Sequence, residues 1–109
     1  MQLYLIEAKD IFLYKIGITK NVKKRIKNLQ TGCPNKLSVV QIFESEKYCG
    51  KIEKSLHKRF ECYKQKEMFN NLEGEWFDLP NEIIFDFKKI CQEIENNIIF
   101  LKDSENPFV

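Results

Sequence analysis

Glu53 and His57 stand four residues apart. On a helix that spacing lets a carboxylate and an imidazole face one ligand. Around them, Tyr48, Ile52, Leu56 and Phe60 recur every four residues and mark the apolar stripe of the same helix. With Ile52 at zero and about 100° per residue, Leu56 falls near ~40° and Glu53 near ~100°, so Glu53 and His57 border that stripe. A second helix carries a basic set. With Val22 at zero, Ile26 falls near ~40°, Leu29 near about −20° and Arg25 near about −60°. Lys23, Lys24 and Lys27 fall near ~100°, ~200° and ~140°, on the solvent side. Arg25 is thus the one basic residue of this helix expected at the core edge, where the wall of a site would be.

Short elements must position these groups. Residues 3–6 and 12–19 read as two strands, close enough in sequence for an antiparallel hairpin with its turn over 7–10. Thr19 or Asn21 can cap the helix over about 21–29, and Gly32 with Pro34 stops it. Residues 37–43 form a third, β-branched strand, and a helix follows over about 46–60. Residues 62–73 read as a polar loop, and 74–79 as a short apolar element docked on the core. Pro80 opens a further helix that ends near Asn96–Asn97 or runs on through Leu101. Residues 103–109 are expected to be loose. The fold class expected is α/β of the α+β type. It is a small three-stranded antiparallel sheet flanked by helices, in the order ββαβα, a short extended piece, then a helix. Residues 1–109 are read as one domain, with a core over about 3–80.

Composition narrows the function classes. With 43% hydrophobic and 31% charged residues, the 109-residue chain is balanced for a soluble globular fold. Apolar runs no longer than four residues exclude a membrane helix, and the start lacks a signal-peptide pattern, so a cytoplasmic location is expected. The net charge of +2 is unevenly spread. Residues 1–66 carry 15 Lys and Arg against 6 acids, and residues 67–109 carry 3 against 10. A basic front two thirds suits a polyanion, most often nucleic acid, although two solvated faces of opposite sign would give the same count. Cys33, Cys49, Cys62 and Cys91 include no CxxC pair, so zinc-ribbon and redox motifs are unsupported, and free, mostly buried thiols are expected.

Five short motifs follow one another along the chain. They are Tyr4-Leu5-Ile6; Tyr14-Lys15-Ile16-Gly17-Ile18-Thr19; Lys24-Arg25-Ile26-Lys27-Asn28-Leu29-Gln30-Thr31-Gly32; Glu53-Lys54-Ser55-Leu56-His57; and Gly74-Glu75-Trp76-Phe77. In this order they resemble the GIY-YIG nuclease superfamily, in its compact branch common in phages and their bacterial hosts. Two positions depart from the pattern: Gln2-Leu3 replace the first glycine and isoleucine, and Lys15 replaces the tyrosine of YIG. The resemblance implies a metal-dependent endonuclease that hydrolyses phosphodiester bonds of DNA. It implies one Mg²⁺ (or Mn²⁺) ion held by Glu53, Arg25 on phosphate, and Tyr4, Lys15 and Gly17 in the two strand motifs. Lys20, Lys23, Lys24 and Lys27 are then the expected nucleic-acid contacts. No membrane partner and no organic cofactor are expected.

The chemistry is consistent with those residue types. Phosphodiester hydrolysis needs a positive clamp, an activated water and a stabilised leaving oxygen. Mg²⁺ keeps most of its waters and is often held by one or two carboxylates, so Glu53 can suffice. A guanidinium grips phosphate as a planar fork. Either Tyr4, with its acidity raised by Lys15, or Lys15 itself can serve as base. His57 can orient a phosphate or water, act as acid or base, or simply pack. Each residue also has an ordinary reading: strand aromatics for Tyr4 and Tyr14, a surface ion pair for Arg25, solvated helix polarity for Glu53. Trp76 and Phe77 read as core rather than as base-stacking platforms, and Glu75 as a structural hydrogen-bonding group rather than one that approaches the metal. Two other functions compete: a nucleic-acid-binding module on the same fold without catalysis, and a protein-interaction domain using the acidic C-terminal third.

Overall fold

A computed structural model describes residues 1–65 and 75–103. Its elements are β1 (Gln2–Ala8), β2 (Leu13–Thr19), α1 (Val22–Thr31), β3 (Leu37–Glu44), α2 (Cys49–Arg59), a 3₁₀ turn (Glu61–Tyr63), α3 (Asn81–Phe85) and α4 (Phe87–Asp103). The three strands form an antiparallel sheet in the order β2-β1-β3. The expected ββαβα order, followed by helices, is the observed fold class.

Alternation along the strands divides the core into two layers. Leu3, Leu5 and Ile16 point to one face, where Cys49, Ile52 and Leu56 of α2 and Phe87, Cys91 and Ile94 of α4 cover them. Tyr4, Ile6, Ala8 and Leu13 point to the other face, against Val22, Ile26 and Leu29 of α1 and against Trp76. Helix α1 packs on β1 and β3, whereas α2 packs on β2 and β1. The edge strand β2 therefore has α2 on one face and is less covered by helix on the other.

The hairpin turn between β1 and β2 holds two residues in the left-handed region, Asp10 (φ 77°) and Phe12 (φ 54°). Asp tolerates that region; a bulky aromatic does so at a cost. The turn is braced by the segment after α1: Lys9 N–H donates to the Lys36 carbonyl at 2.9 Å, and Asn35 Nδ2 to the Lys9 carbonyl at 3.3 Å.

Several expected boundaries shift. Strand β1 extends to Ala8, because Glu7 and Ala8 still pair with Tyr14 and Leu13. Helix α2 begins at Cys49 rather than near Glu46; Ser45 Oγ accepts from Tyr48 N–H at 3.1 Å and holds the preceding turn. The single helix expected after Pro80 is two, broken at Asp86, and the second runs through Asp103. Two of the four free cysteines are buried, Cys49 and Cys91; Cys33 is half-buried and Cys62 exposed. Residues 66–74 of the expected loop and docked element, and 104–109 of the expected loose end, lie outside the described residues. No helix among the described residues is long and apolar enough to cross a membrane.

Candidate functional site

Tyr4 and Gly17 are direct partners across β1 and β2. Paired residues share a face, and here the tyrosine ring takes the space a side chain on Gly17 would need. A Cβ at Gly17 would lie 2.3 Å from Tyr4 Oη and 2.5 Å from Cζ. The glycine thus lets Tyr4 lay its hydroxyl over the edge strand, in a ring position that is only 2% exposed. Lys15 pairs with Ile6, so it lies on the same face. Its ammonium is 5.4 Å from the centre of the Trp76 ring, a cation–π distance.

Helix α1 is anchored over this face by side chains that act on backbone. Asn21 Oδ1 accepts from Lys24 N–H at 3.1 Å, the expected N-cap. Gln2 Oε1 accepts from Val22 N–H at 3.1 Å, while Gln2 Nε2 donates to Glu44 at 3.0 Å, tying β1, α1 and β3 together. At the far end Gln30 donates to the carbonyls of Asn35 (2.8 Å) and Cys33 (3.3 Å) and accepts from Leu37 N–H (2.8 Å). That amide fixes the return from α1 into β3. Between these anchors Arg25 is half-buried, whereas Lys20, Lys23, Lys24 and Lys27 are exposed. The helix angles had set Arg25 apart from its lysine neighbours in this way.

Glu53 and His57 are both half-buried on one flank of α2, with Lys54 and Lys58 exposed beside them. Their helix packs against the opposite face of the sheet from Tyr4, Lys15 and Arg25. The structure therefore gathers three of the five candidates on the α1 face and brings the other two up from behind β2. His57 makes the link. Its Nε2 lies 2.9 Å from the carbonyl of Ile16, between Lys15 and Gly17, and its Nδ1 lies 2.6 Å from Glu75 Oε2. Lys64 Nζ binds the other carboxylate oxygen of Glu75 at 2.7 Å. Hydrogen bonds from Lys64 first and His57 second hold the Glu75 carboxyl below the usual carboxylate range.

Residues 75–78 close the edge of β2. Tyr14 and Phe77 exchange both backbone hydrogen bonds, at 2.9 and 2.8 Å. Gln65 N–H donates to the Trp76 carbonyl, and Asp78 N–H to the Tyr63 carbonyl, each at 2.7 Å. Extended backbone sends Glu75 and Phe77 one way and Trp76 the other. Phe77 is buried in the α2 layer, edge-on to His57 at 5.2 Å between ring centres, and Trp76 is buried in the α1 layer under Lys15. The core reading of Trp76 and Phe77 and the hydrogen-bonding reading of Glu75 are observed.

Tyr14 donates to Glu7 Oε2 at 2.8 Å, and burial first, then this bond and the Glu7 charge, push the phenol up to about 12. The sequence reading gave no task to Gln2, Gln30 or the Tyr14–Glu7 pair. A glutamine that opens a run of four apolar strand residues, and a glutamine two residues before a helix-stopping glycine, were the available signals. Among the described residues no three His, Cys, Asp or Glu side chains cluster to hold a metal. Glu53 is a half-buried carboxylate on α2, the helix that packs on β2, and a single such donor suits an ion that keeps most of its own waters.

The chain matches the family model of the T5orf172 domain over residues 2–94. It belongs to that family, a phage-associated domain often found in nuclease-like proteins, which points toward a nucleic-acid-related function. The match takes in every motif named above. No curated protein and no solved structure matches the chain.

Proposed function

We propose that the chain is a GIY-YIG-type endonuclease that hydrolyses phosphodiester bonds of DNA with one Mg²⁺ or Mn²⁺ ion. The observation that supports this most is the placement of Arg25. It is the half-buried cation of a helix whose lysines are exposed, and it stands on the face that carries Tyr4 and Lys15. In this reading Arg25 grips the scissile phosphate through its planar fork. Glu53 holds the ion, which supplies charge stabilisation and an acidified water when bound. Tyr4 or Lys15 takes the proton of the attacking water. Lys20, Lys23, Lys24 and Lys27 line the exposed side of α1 and its entry, where they contact the backbone of the substrate.

A binding module without catalysis is the second reading. The near-complete burial of Tyr4 and the position of Glu53 behind the sheet favour it. Cleavage of a labelled duplex and a labelled single strand, with Mg²⁺ and with EDTA, separates the two. Wild type should cut only with the metal, and Glu53→Ala should abolish cutting while binding DNA as before. Binding without cutting by wild type would establish the module. Cutting by Glu53→Ala near the wild-type rate would remove Glu53 from the site.

A further inference from the structure

Among the described residues the edge of β2 is met by a backbone segment and by the side chain of His57. In the β1–β2 ladder Tyr14, Ile16 and Ile18 turn their backbone groups outward. Phe77 satisfies those of Tyr14, and His57 meets the carbonyl of Ile16. A carbonyl can only accept, so His57 Nε2 carries a hydrogen. Glu75, whose other carboxylate oxygen is held by Lys64, engages His57 Nδ1 at 2.6 Å. Both ring nitrogens are thus taken up by protein partners, and neither is left to exchange a proton with substrate.

The consequence reaches the other face. Ile16 lies between Lys15 and Gly17, and Gly17 carries the Tyr4 ring. Glu75 precedes Trp76, whose ring lies beneath the Lys15 ammonium. Both ends of the His57 bridge thus adjoin the residues that set where Lys15 and Tyr4 sit. We propose that His57, clamped between the Ile16 carbonyl and the Glu75 carboxylate, is a positioning residue that fixes the β2 edge and so places Lys15 and Tyr4 for the reaction. The proposal rests on the nuclease reading for its effect on rate, but not for the mechanical coupling. Around His57 stand Glu75 and, through it, Lys64, together with the Phe77 ring and, one turn earlier on α2, Glu53.

The test compares His57→Gln, Glu75→Gln and the double variant in the full chain. Trp76 is the only tryptophan, so its emission reports the 75–77 segment without any DNA. Both single variants should shift that emission by a similar amount, and the double variant should add nothing. Single-turnover cleavage at saturating protein should fall by about tenfold to a hundredfold in each, the range expected for a displaced catalytic group. DNA affinity should stay within about twofold, since a positioning fault acts after binding. Lys64→Ala should give a smaller shift in the same direction, because Glu75 keeps His57. A large loss of rate in His57→Gln with Glu75→Gln near wild type would make His57 a direct proton donor and overturn the proposal. Independent, multiplying effects of the two substitutions on emission would overturn it too. Absence of cleavage by wild type would count against the nuclease reading alone, because the emission comparison still decides the coupling.

Discussion

Gly17→Ala puts one methyl group into the space that the Tyr4 ring now fills. Gly17 has no left-handed φ, so the backbone accepts alanine, and the whole effect comes from the ring. The new Cβ would stand 2.3 Å from Oη and 2.5 Å from Cζ. That is roughly 1 Å inside the ~3.5 Å of comfortable contact. The ring is buried, so it has little freedom to swing aside. Overpacking of this kind costs about 1–3 kcal/mol, while replacing glycine in a strand returns about 0.5–1 kcal/mol. The net loss should be about 0.5–2 kcal/mol, read from urea unfolding followed by Trp76 emission. Tyr4→Leu in the same background removes the obstacle, so Gly17→Ala should then cost little or become stabilising, with a coupling of about 1–2 kcal/mol between the two sites. The nuclease reading adds that Gly17→Ala lowers the cleavage rate more than it lowers affinity, because Tyr4 is displaced. Additivity of the two substitutions within about 0.5 kcal/mol would show that the ring and the glycine do not compete for space, and the account of the motif would fail.

Arg25→Ala should lower single-turnover cleavage by on the order of 10²–10³ with modest loss of affinity, and Arg25→Lys should restore only part of it. Lys24→Ala should weaken binding mildly and leave the saturated rate near wild type; equal small effects at both positions would make Arg25 an ordinary surface cation. Binding to duplex DNA should fall with salt, each phosphate contact contributing about −0.9 to the log–log slope. Lys23→Ala with Lys27→Ala should flatten that slope by about 2, and an unchanged slope would move the DNA off α1. Tyr14 should ionise at about 12 in an absorbance titration, with its step missing from Tyr14→Phe. Its value is raised by folding, so the stability it contributes is complete below about pH 10 and is lost as pH climbs toward about 12. A step near pH 10 that vanishes in Tyr14→Phe would refute the burial of this phenol and its Glu7 contact.

The elements and the flanks of the helices were legible in the sequence because each depends on local spacing. Val22, Ile26 and Leu29 define α1, and the same period that buries them leaves Arg25 at the edge and the lysines in solvent. The break at Asp86 was not legible. Ile83, Ile84, Phe87, Ile90 and Cys91 keep one apolar stripe across it, so the periodicity is blind to the interruption. Nor could spacing show how residues 75–78 close the sheet. Tyr14 and Phe77 recognise each other through backbone groups that every residue carries, far apart in the chain. His57 had three open roles for the same reason. Its partners, Ile16 and Glu75, lie 41 and 18 residues away, and only the fold brings both to one ring. Four of the five motifs nevertheless meet at the edge of β2. Gly17 makes room for Tyr4, and Glu75 holds the histidine that grips Ile16. Trp76 meanwhile lies under Lys15. The α1 motif stands apart, because Gln30 fixes the return of that helix into β3, on the other side of β1. The motif residues of β1, β2, α2 and the 75–77 segment are different ways of fixing one strand edge. Disturbing that edge from either face should therefore be felt at Tyr4 and Lys15 before it is felt in overall stability.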